Sequence, residues 1–255
     1  MKGLAGLRAM TGDFEAARTL MARHRAIMEE IGRKLMLGGS AQMAGYVEML
    51  AGDAPAAERE LRRGYAILDS AGDRAYLPAV AAMLASALEA QGRHAEAERY
   101  VETASSMAAD GDIDTQFRLR VIRAQLLLAQ GRADEAERLV RGVVALAADT
   151  DELDLQAEGQ VVLAEALRPV GRLDEAAAAL DEALRHYEEK GNLVSAGRVR
   201  ATLAEWGGVR TRGNPRERDE DHFRGSVEPY SFPASAAYAS GARLLNLGSR
   251  KMRAA

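Results

Sequence analysis

The chain has 255 residues, of which 47% are apolar but only 5% aromatic, and its formal net charge is −4. This composition is sufficient for a core of small aliphatic side chains between closely packed helices. The absence of cysteine excludes disulfides, thiolate zinc sites and cysteine nucleophiles, and it is typical of a reducing cytoplasm, where we expect the protein to reside. No stretch approaches the roughly 18 apolar residues of a membrane-spanning helix, so we expect no membrane span.

The charge is distributed unevenly along the chain. Residues 207–255 carry 9 Lys and Arg against 5 Asp and Glu, which leaves 25 against 33 in residues 1–206. The main body is therefore acidic, and we expect no direct contact between it and the phosphate backbone of a nucleic acid.

A glycine closes an apolar helical stretch five times along the chain, and an alanine follows each glycine after five residues. The pairs are Gly12 and Ala17, Gly52 and Ala57, Gly92 and Ala97, Gly131 and Ala136, and Gly171 and Ala176. The glycines are 40, 40, 39 and 40 residues apart. A fixed period in this range is typical of stacked helical repeats.

Each unit reads as a helix, a tight turn and a second helix. Seven residues before each glycine stands a small residue, and nine residues after it stands an apolar one; the pairs are Ala5 and Met21, Gly45 and Leu61, Ala85 and Val101, Ala124 and Val140, and Ala164 and Leu180. Small residues allow two helix backbones to approach, and the apolar residues fill the groove between them. The glycine suits the left-handed position that ends a helix.

These signals predict five units and a cap. The units cover residues 1–32, 33–72, 73–111, 112–150 and 151–191, and a single capping helix covers residues 192–206. Gly38, Gly39 and Ser40 mark a bend before or within the first helix of the second unit. Residues 207–255 hold three of the six prolines and lack the repeat spacing, so we expect a mostly disordered basic tail. The predicted fold is an all-α, right-handed superhelix of about five antiparallel helix pairs.

The small residue, glycine and alanine stand at the offsets of the tetratricopeptide repeat, which this pattern resembles. The unit is about six residues longer than the common 34, and aliphatic residues fill most of the family's aromatic positions. Segments 51–65, 92–99 and 187–196 are also similar to the C-terminal helical region of bacterial signalling ATPases. In those proteins a cyclase domain or a DNA-binding regulator domain accompanies a nucleotide-binding module. The resemblance implies a sensor or scaffold role without catalysis by these residues.

No pattern in the sequence indicates catalysis, a metal site or a cofactor. His24, His94, His186 and His222 lie far apart, and no two have the spacing of paired ligands on a helix. The sequence holds no phosphate-binding glycine motif and no nucleophile elbow. Residues 110–114 resemble half of a calcium loop but lack its later ligands, so we expect an ordinary turn between helices. We therefore predict that the chain is not an enzyme and that it has no metal or cofactor.

The predicted function is a scaffold that binds a protein or peptide on its concave face, which the first helices of the units line. Mapping the repeat pattern onto the chain places nine residues on that face: Gln42, Tyr46, Ser86, Glu89, Arg118, Gln125, Glu158, Glu165 and Arg168. The alternative is a regulatory fragment of a larger signalling ATPase, because the first helix is short and has no capping sequence before it. The sequence determines neither the partner nor the oligomeric state.

Overall fold

A computed structural model describes residues 1–109 and 111–212 of the chain, and it describes side chains as far as Gly207. Every regular element in these ranges is an α-helix, which confirms the predicted all-α repeat superhelix. In chain order the helices are α1 (Lys2–Met10), α2 (Phe14–Glu30), α3 (Lys34–Gly39), α4 (Ala41–Ala51), α5 (Ala54–Ser70), α6 (Leu77–Glu89), α7 (His94–Met107), α8 (Ile113–Ala129), α9 (Ala133–Ala148), α10 (Leu153–Leu167), α11 (Leu173–Lys190) and α12 (Leu193–Arg212).

All five marker glycines adopt the left-handed conformation that the sequence predicts, with φ between 71° and 87°. The residue after each glycine donates its backbone N–H to a carbonyl five residues earlier, as Asp53 does to Glu48 at 2.9 Å. This bond satisfies a carbonyl that the end of the helix would otherwise leave unpaired. An L side chain at these positions would be strained, which explains why glycine recurs there.

The first helices of the units form an inner layer and the second helices an outer layer. We call α1, α4, α6, α8, α10 and α12 the inner helices, because the first five of them contact one another in sequence, and α4, α6, α8 and α10 bury most of their residues. The outer helices α2, α5, α7, α9 and α11 expose one polar face each. Gly45 on α4 shows why small residues recur on the inner helices, since a Cβ atom there would lie 2.7 Å from Leu61 Cγ on α5.

Three helix boundaries differ in detail from a uniform repeat. The predicted bend at Gly38, Gly39 and Ser40 separates α3 from α4. Helix α6 begins only at Leu77, because Asp73 Oδ1 accepts the N–H groups of residues 75, 76 and 77 and holds the chain in a turn. Helix α12 continues to Arg212, six residues past the expected end of the cap, since two glycines weaken a helix without preventing it. The rest of the predicted tail, with His222, lies outside the described residues.

The predicted turn over residues 110–114 is a helix start. Asp112 precedes α8 and its side chain accepts the N–H of Thr115 at 3.2 Å, which makes Asp112 an N-cap. Residue 110 itself lies outside the described residues.

The two ends of the array contact each other. Helix α12 contacts α1, and Val194 on α12 packs against the core formed by α1 to α8. A Cβ atom on Gly12 would lie 3.8 Å from Val194 Cγ2. Ala196 and Val199 of the same helix belong to the second core, which α8 to α12 form. Helix α12 thus joins the last unit to the first and closes the array around its inward face.

Candidate functional site

Seven of the nine residues predicted on the concave face are buried inside the closed array. They keep between 0% and 7% of their surface exposed and comprise Gln42, Tyr46, Ser86, Glu89, Arg118, Gln125 and Glu158. Glu165 is only partly exposed. The sequence predicts that these residues share the inner helices, but it does not predict their enclosure, which follows from the contact between α12 and α1.

Tyr46 lies at the centre of a group of charged and aromatic side chains from opposite sides of the array. Its side chain is fully buried. Burial raises the pKa of Tyr46 well above its ordinary value, and the charges of Asp154, Tyr187 and Glu158 raise it further while Arg118 lowers it. These residues come from α4, α8, α10 and α11, so the inward face is narrow enough for helices of distant units to act on one hydroxyl.

Asp154, at the start of α10, is held in the same interior by the residue that caps α12. Asn192 Nδ2 donates to Asp154 Oδ1 at 3.0 Å, and Asn192 Oδ1 accepts the N–H of Ser195 at 3.1 Å. Burial raises the pKa of Asp154, and the hydrogen bond from Asn192 opposes that rise. One asparagine therefore both starts α12 and positions a buried carboxyl group of the preceding unit.

Two further carboxyl groups lie where the inner helices end. Burial raises the pKa of Glu89 to about 7. Burial also raises the pKa of Glu165 to about 8, and repulsion from Glu89 and Glu158 adds to the effect. Glu165 keeps part of its surface exposed to solvent although protein atoms surround its carboxyl group. Ionising these groups together is costly because they repel one another in a poorly solvated space.

Arg198 on α12 fixes the closure at the end of α4. Its Nη2 atom donates to the backbone carbonyl of Leu50 at 2.6 Å and to that of Met49 at 3.3 Å. Both carbonyls belong to the last turn of α4, where unpaired carbonyls and the helix dipole favour a cation. The sequence does not predict this role for Arg198, because an arginine on a capping helix gives no local signal of a contact 148 residues away.

Arg168 does not join the enclosed residues. It follows the end of α10, and its guanidinium lies 4.9 Å from the ring centroid of Trp206 on α12. Arg168 Nη2 also forms an ion pair with Glu205 Oε1 at 3.9 Å. Together with Leu173 and Asp181, Arg168 and Trp206 line a cavity of about 180 Å³ between α11 and α12. Arg168, which the repeat spacing predicts on the concave face, therefore lies on an exposed surface beside α11 and α12.

The outer layer carries a repeated ion-pair arrangement that the repeat spacing alone does not predict. Arg93 binds Glu96 with two hydrogen bonds of 2.7 and 2.8 Å and reaches Glu58 of the preceding unit at 2.6 Å. Arg172 repeats the arrangement, reaching Glu137 at 2.6 Å. The hydrogen bond from Arg141 lowers the pKa of Glu137, and Arg172 lowers it further. Partial burial of Glu137 opposes both effects. The sequence signal is Gly-Arg followed by glutamate three residues after the arginine, as at residues 92–96 and 171–175; residues 131–135 have the same signal, and Arg132 binds Glu135 there.

Neither a metal site nor a membrane helix is found in the described part of the chain. Its His, Asp and Glu residues form no group of three or more that could hold a metal ion. No helix among the same residues is long and apolar enough to cross a membrane.

Comparison with known proteins identifies the repeat. A family model described as tetratricopeptide repeat matches residues 78–103, 118–141 and 157–182. Each matched segment covers part or all of an inner helix, its glycine turn and the first part of the outer helix that follows. Tetratricopeptide repeats are therefore present in this chain.

The crystal structure of BtubC (BKLC) from P. vanneervenii is similar to this chain with a TM-score of 0.46 and 16% sequence identity, over 87% of this chain and 97% of that one. No curated protein matches the sequence.

Proposed function

We propose that this protein is a non-catalytic, cytoplasmic scaffold that binds a protein or peptide through its inward face. Tetratricopeptide repeats generally mediate protein–protein interactions and are typically non-catalytic. The observation that carries the proposal is the row of polar side chains on successive inner helices, in which Tyr46, Ser86, Gln125 and Glu165 each stand six residues before a marker glycine. A rigid row of polar groups beside apolar neighbours is suited to holding an extended chain.

The closed form of the array defines where a partner enters. Glu165 is the partly exposed member of the row and lies two residues before the end of α10. The two helices of each repeat run in opposite directions, so the inner helices of successive repeats are parallel and their C-terminal ends lie on one side of the array. We infer that the partner reaches the inward face from that side.

Affinity capture of partners from the native lysate, followed by quantitative mass spectrometry, tests the proposal. Glu165→Arg replaces the partly exposed inward carboxylate with a bulky cation. Glu98→Arg makes the same replacement on the exposed outer face of α7. We expect partners captured by the native chain and by Glu98→Arg to be lost with Glu165→Arg. Equal capture by both variants would show that the inward face is not the binding face.

A second candidate function is a regulatory role in a signalling system of the ATPase or cyclase type. The similarity of segments 51–65, 92–99 and 187–196 to the helical regions of such proteins favours it. In that case the captured partner, or an adjoining coding region in the same frame, contains a nucleotide-binding module. If neither the captured partners nor an adjoining coding region in the same frame contains such a module, this candidate is excluded and the scaffold proposal stands.

A further inference from the structure

Three inner helices end on the same side of the array with hydrogen-bond acceptors in their last turns. Glu89 is the last residue of α6, Gln125 lies four residues before the end of α8, and Glu165 lies two residues before the end of α10. Helix α8, which carries Gln125, contacts both α6 and α10. We call Glu89, Gln125 and Glu165 the acceptor rim.

Two atoms of the acceptor rim lack donors among the described residues. Glu89 is 7% exposed, and its buried Oε2 atom accepts no hydrogen bond there. Gln125 is 6% exposed, and its buried Oε1 atom also accepts no hydrogen bond from a described residue. Buried acceptors normally have donors, because leaving one unsatisfied costs roughly 1–3 kcal/mol. An N–H donor brought into this interior would relieve that cost at both atoms.

The electrostatics of the acceptor rim favour a positive ligand. The carboxyl groups of Glu89, Glu158 and Glu165 are close enough to repel one another. The C-terminal ends of α6, α8 and α10 add the negative ends of three helix dipoles. Arg168, the cation nearest in sequence to the end of α10, is directed at Trp206 and Glu205 instead.

The same chain shows what such a helix end binds. At the end of α4, the guanidinium of Arg198 donates hydrogen bonds to the last-turn carbonyls of Met49 and Leu50. A metal ion fits the acceptor rim less well, because the described carboxylates do not converge into a group able to ligate one. A guanidinium is larger, planar and has five N–H donors, so it can reach acceptors on neighbouring helices.

We propose that the acceptor rim binds the guanidinium of an arginine side chain in the partner, an inference that rests on the proposed function of the inward face. The partner segment enters beside the ends of α6, α8 and α10 and places this arginine among Glu89, Gln125 and Glu165. Its N–H groups satisfy the free acceptors, and its charge compensates the clustered carboxylates.

Fluorescence anisotropy with the full-length protein tests the site. The probe is a fluorescein-labelled peptide of alternating glycine and arginine, and its control has citrulline, a neutral and nearly isosteric residue, in place of each arginine. We expect the citrulline peptide to bind at least about tenfold more weakly, since it loses the charge-assisted hydrogen bonds. The Glu89→Gln/Glu165→Gln variant should bind the arginine peptide more weakly than the native protein does, by a similar factor.

The matched control is Glu30→Gln/Glu98→Gln, which makes the same change in net charge at two exposed outer positions. We expect it to change affinity by no more than about twofold, as is usual for exposed charges. Circular dichroism verifies that both double variants are folded. Equal weakening by the two variants, equal binding of the two peptides, or no binding of the arginine peptide would each overturn the arginine site. If partner capture is still lost with Glu165→Arg after such a result, the proposed function stands without this inference.

Discussion

Gly64 on α5 offers the sharpest test of how closely the helices of one unit are packed. A Cβ atom at this position would lie 2.2 Å from Ala41 Cβ and 2.6 Å from the backbone carbonyl oxygen of Gly38. Ordinary contacts between carbon atoms are about 3.5–4.0 Å. Neither obstacle can rotate away, since one is the first atom of a side chain and the other is backbone. Gly64→Ala therefore forces α5 away from α3 and α4.

The magnitude follows from two opposing terms. Alanine is favoured over glycine inside a helix by roughly 1 kcal/mol. Overpacking a core typically costs about 1–3 kcal/mol and exceeds this range when no side chain can adjust. We therefore expect Gly64→Ala to lower the free energy of unfolding by about 2–3 kcal/mol net. Gly142 on α9 is the matched control, because nothing lies within 4 Å of its added Cβ, and Gly142→Ala should raise stability by about 0.5–1 kcal/mol.

Urea unfolding followed by far-ultraviolet circular dichroism measures both variants. The midpoints should move in opposite directions, down for Gly64→Ala and up for Gly142→Ala. Removing the opposing Cβ with Ala41→Gly should recover part of the loss in a Gly64→Ala background, while the carbonyl of Gly38 still obstructs. A Gly64→Ala protein that is as stable as Gly142→Ala would refute the close approach of these helices.

Three further predictions concern the closure, the buried carboxyl groups and the outer ion pairs. Arg198→Met keeps the aliphatic stem but removes the bonds to Met49 and Leu50, so α12 amides should exchange hydrogen faster and stability should fall by about 1.5–3 kcal/mol; unchanged exchange would contradict the closure. The pKa of Glu89, raised from 4.5 to about 7, makes its neutral form the stabilising one, so the unfolding free energy should fall between about pH 4.5 and 7 by up to about 3 kcal/mol. Glu89→Gln should remove that part of the pH dependence, and pH titration of the unfolding midpoint would show whether it does. Arg172→Lys should lower the urea unfolding midpoint slightly, because lysine cannot make the paired bonds to the two glutamates, and a double-mutant cycle with Glu137→Gln should show a non-zero coupling.

The local features of the fold could be predicted because each depends on a few neighbouring residues. A left-handed glycine ends a helix whatever surrounds it, so Gly52 and Gly171 indicate their turns directly. The pairing of Gly45 with Leu61 follows from the offset between a small and a large residue in one unit. The bend at Gly38 and Gly39 is predictable for the same reason.

The closure could not be predicted, because it is a sum of small packing angles over five units. Nothing near Arg198 in the sequence indicates that it reaches Leu50. For the same reason Tyr46 and Arg118 could be assigned to the inner helices but not to an enclosed interior. The repeat spacing predicts an inward position for Arg168, yet this residue lies just after α10, and its guanidinium packs over the ring of Trp206.

Helix α12 closes the array and encloses the inward face, and the contact between Val194 and Gly12 is where this closure can be measured in solution. Nuclear Overhauser spectroscopy on a sample with labelled valine methyl groups measures this contact in solution. The closed array predicts a cross-peak between a Val194 methyl group and the α-protons of Gly12, since a Cβ on Gly12 would be 3.8 Å from Val194 Cγ2. A spectrum in which Val194 shows contacts within α12 but none with Gly12 or the end of α4 would contradict the closure and the enclosed binding face with it.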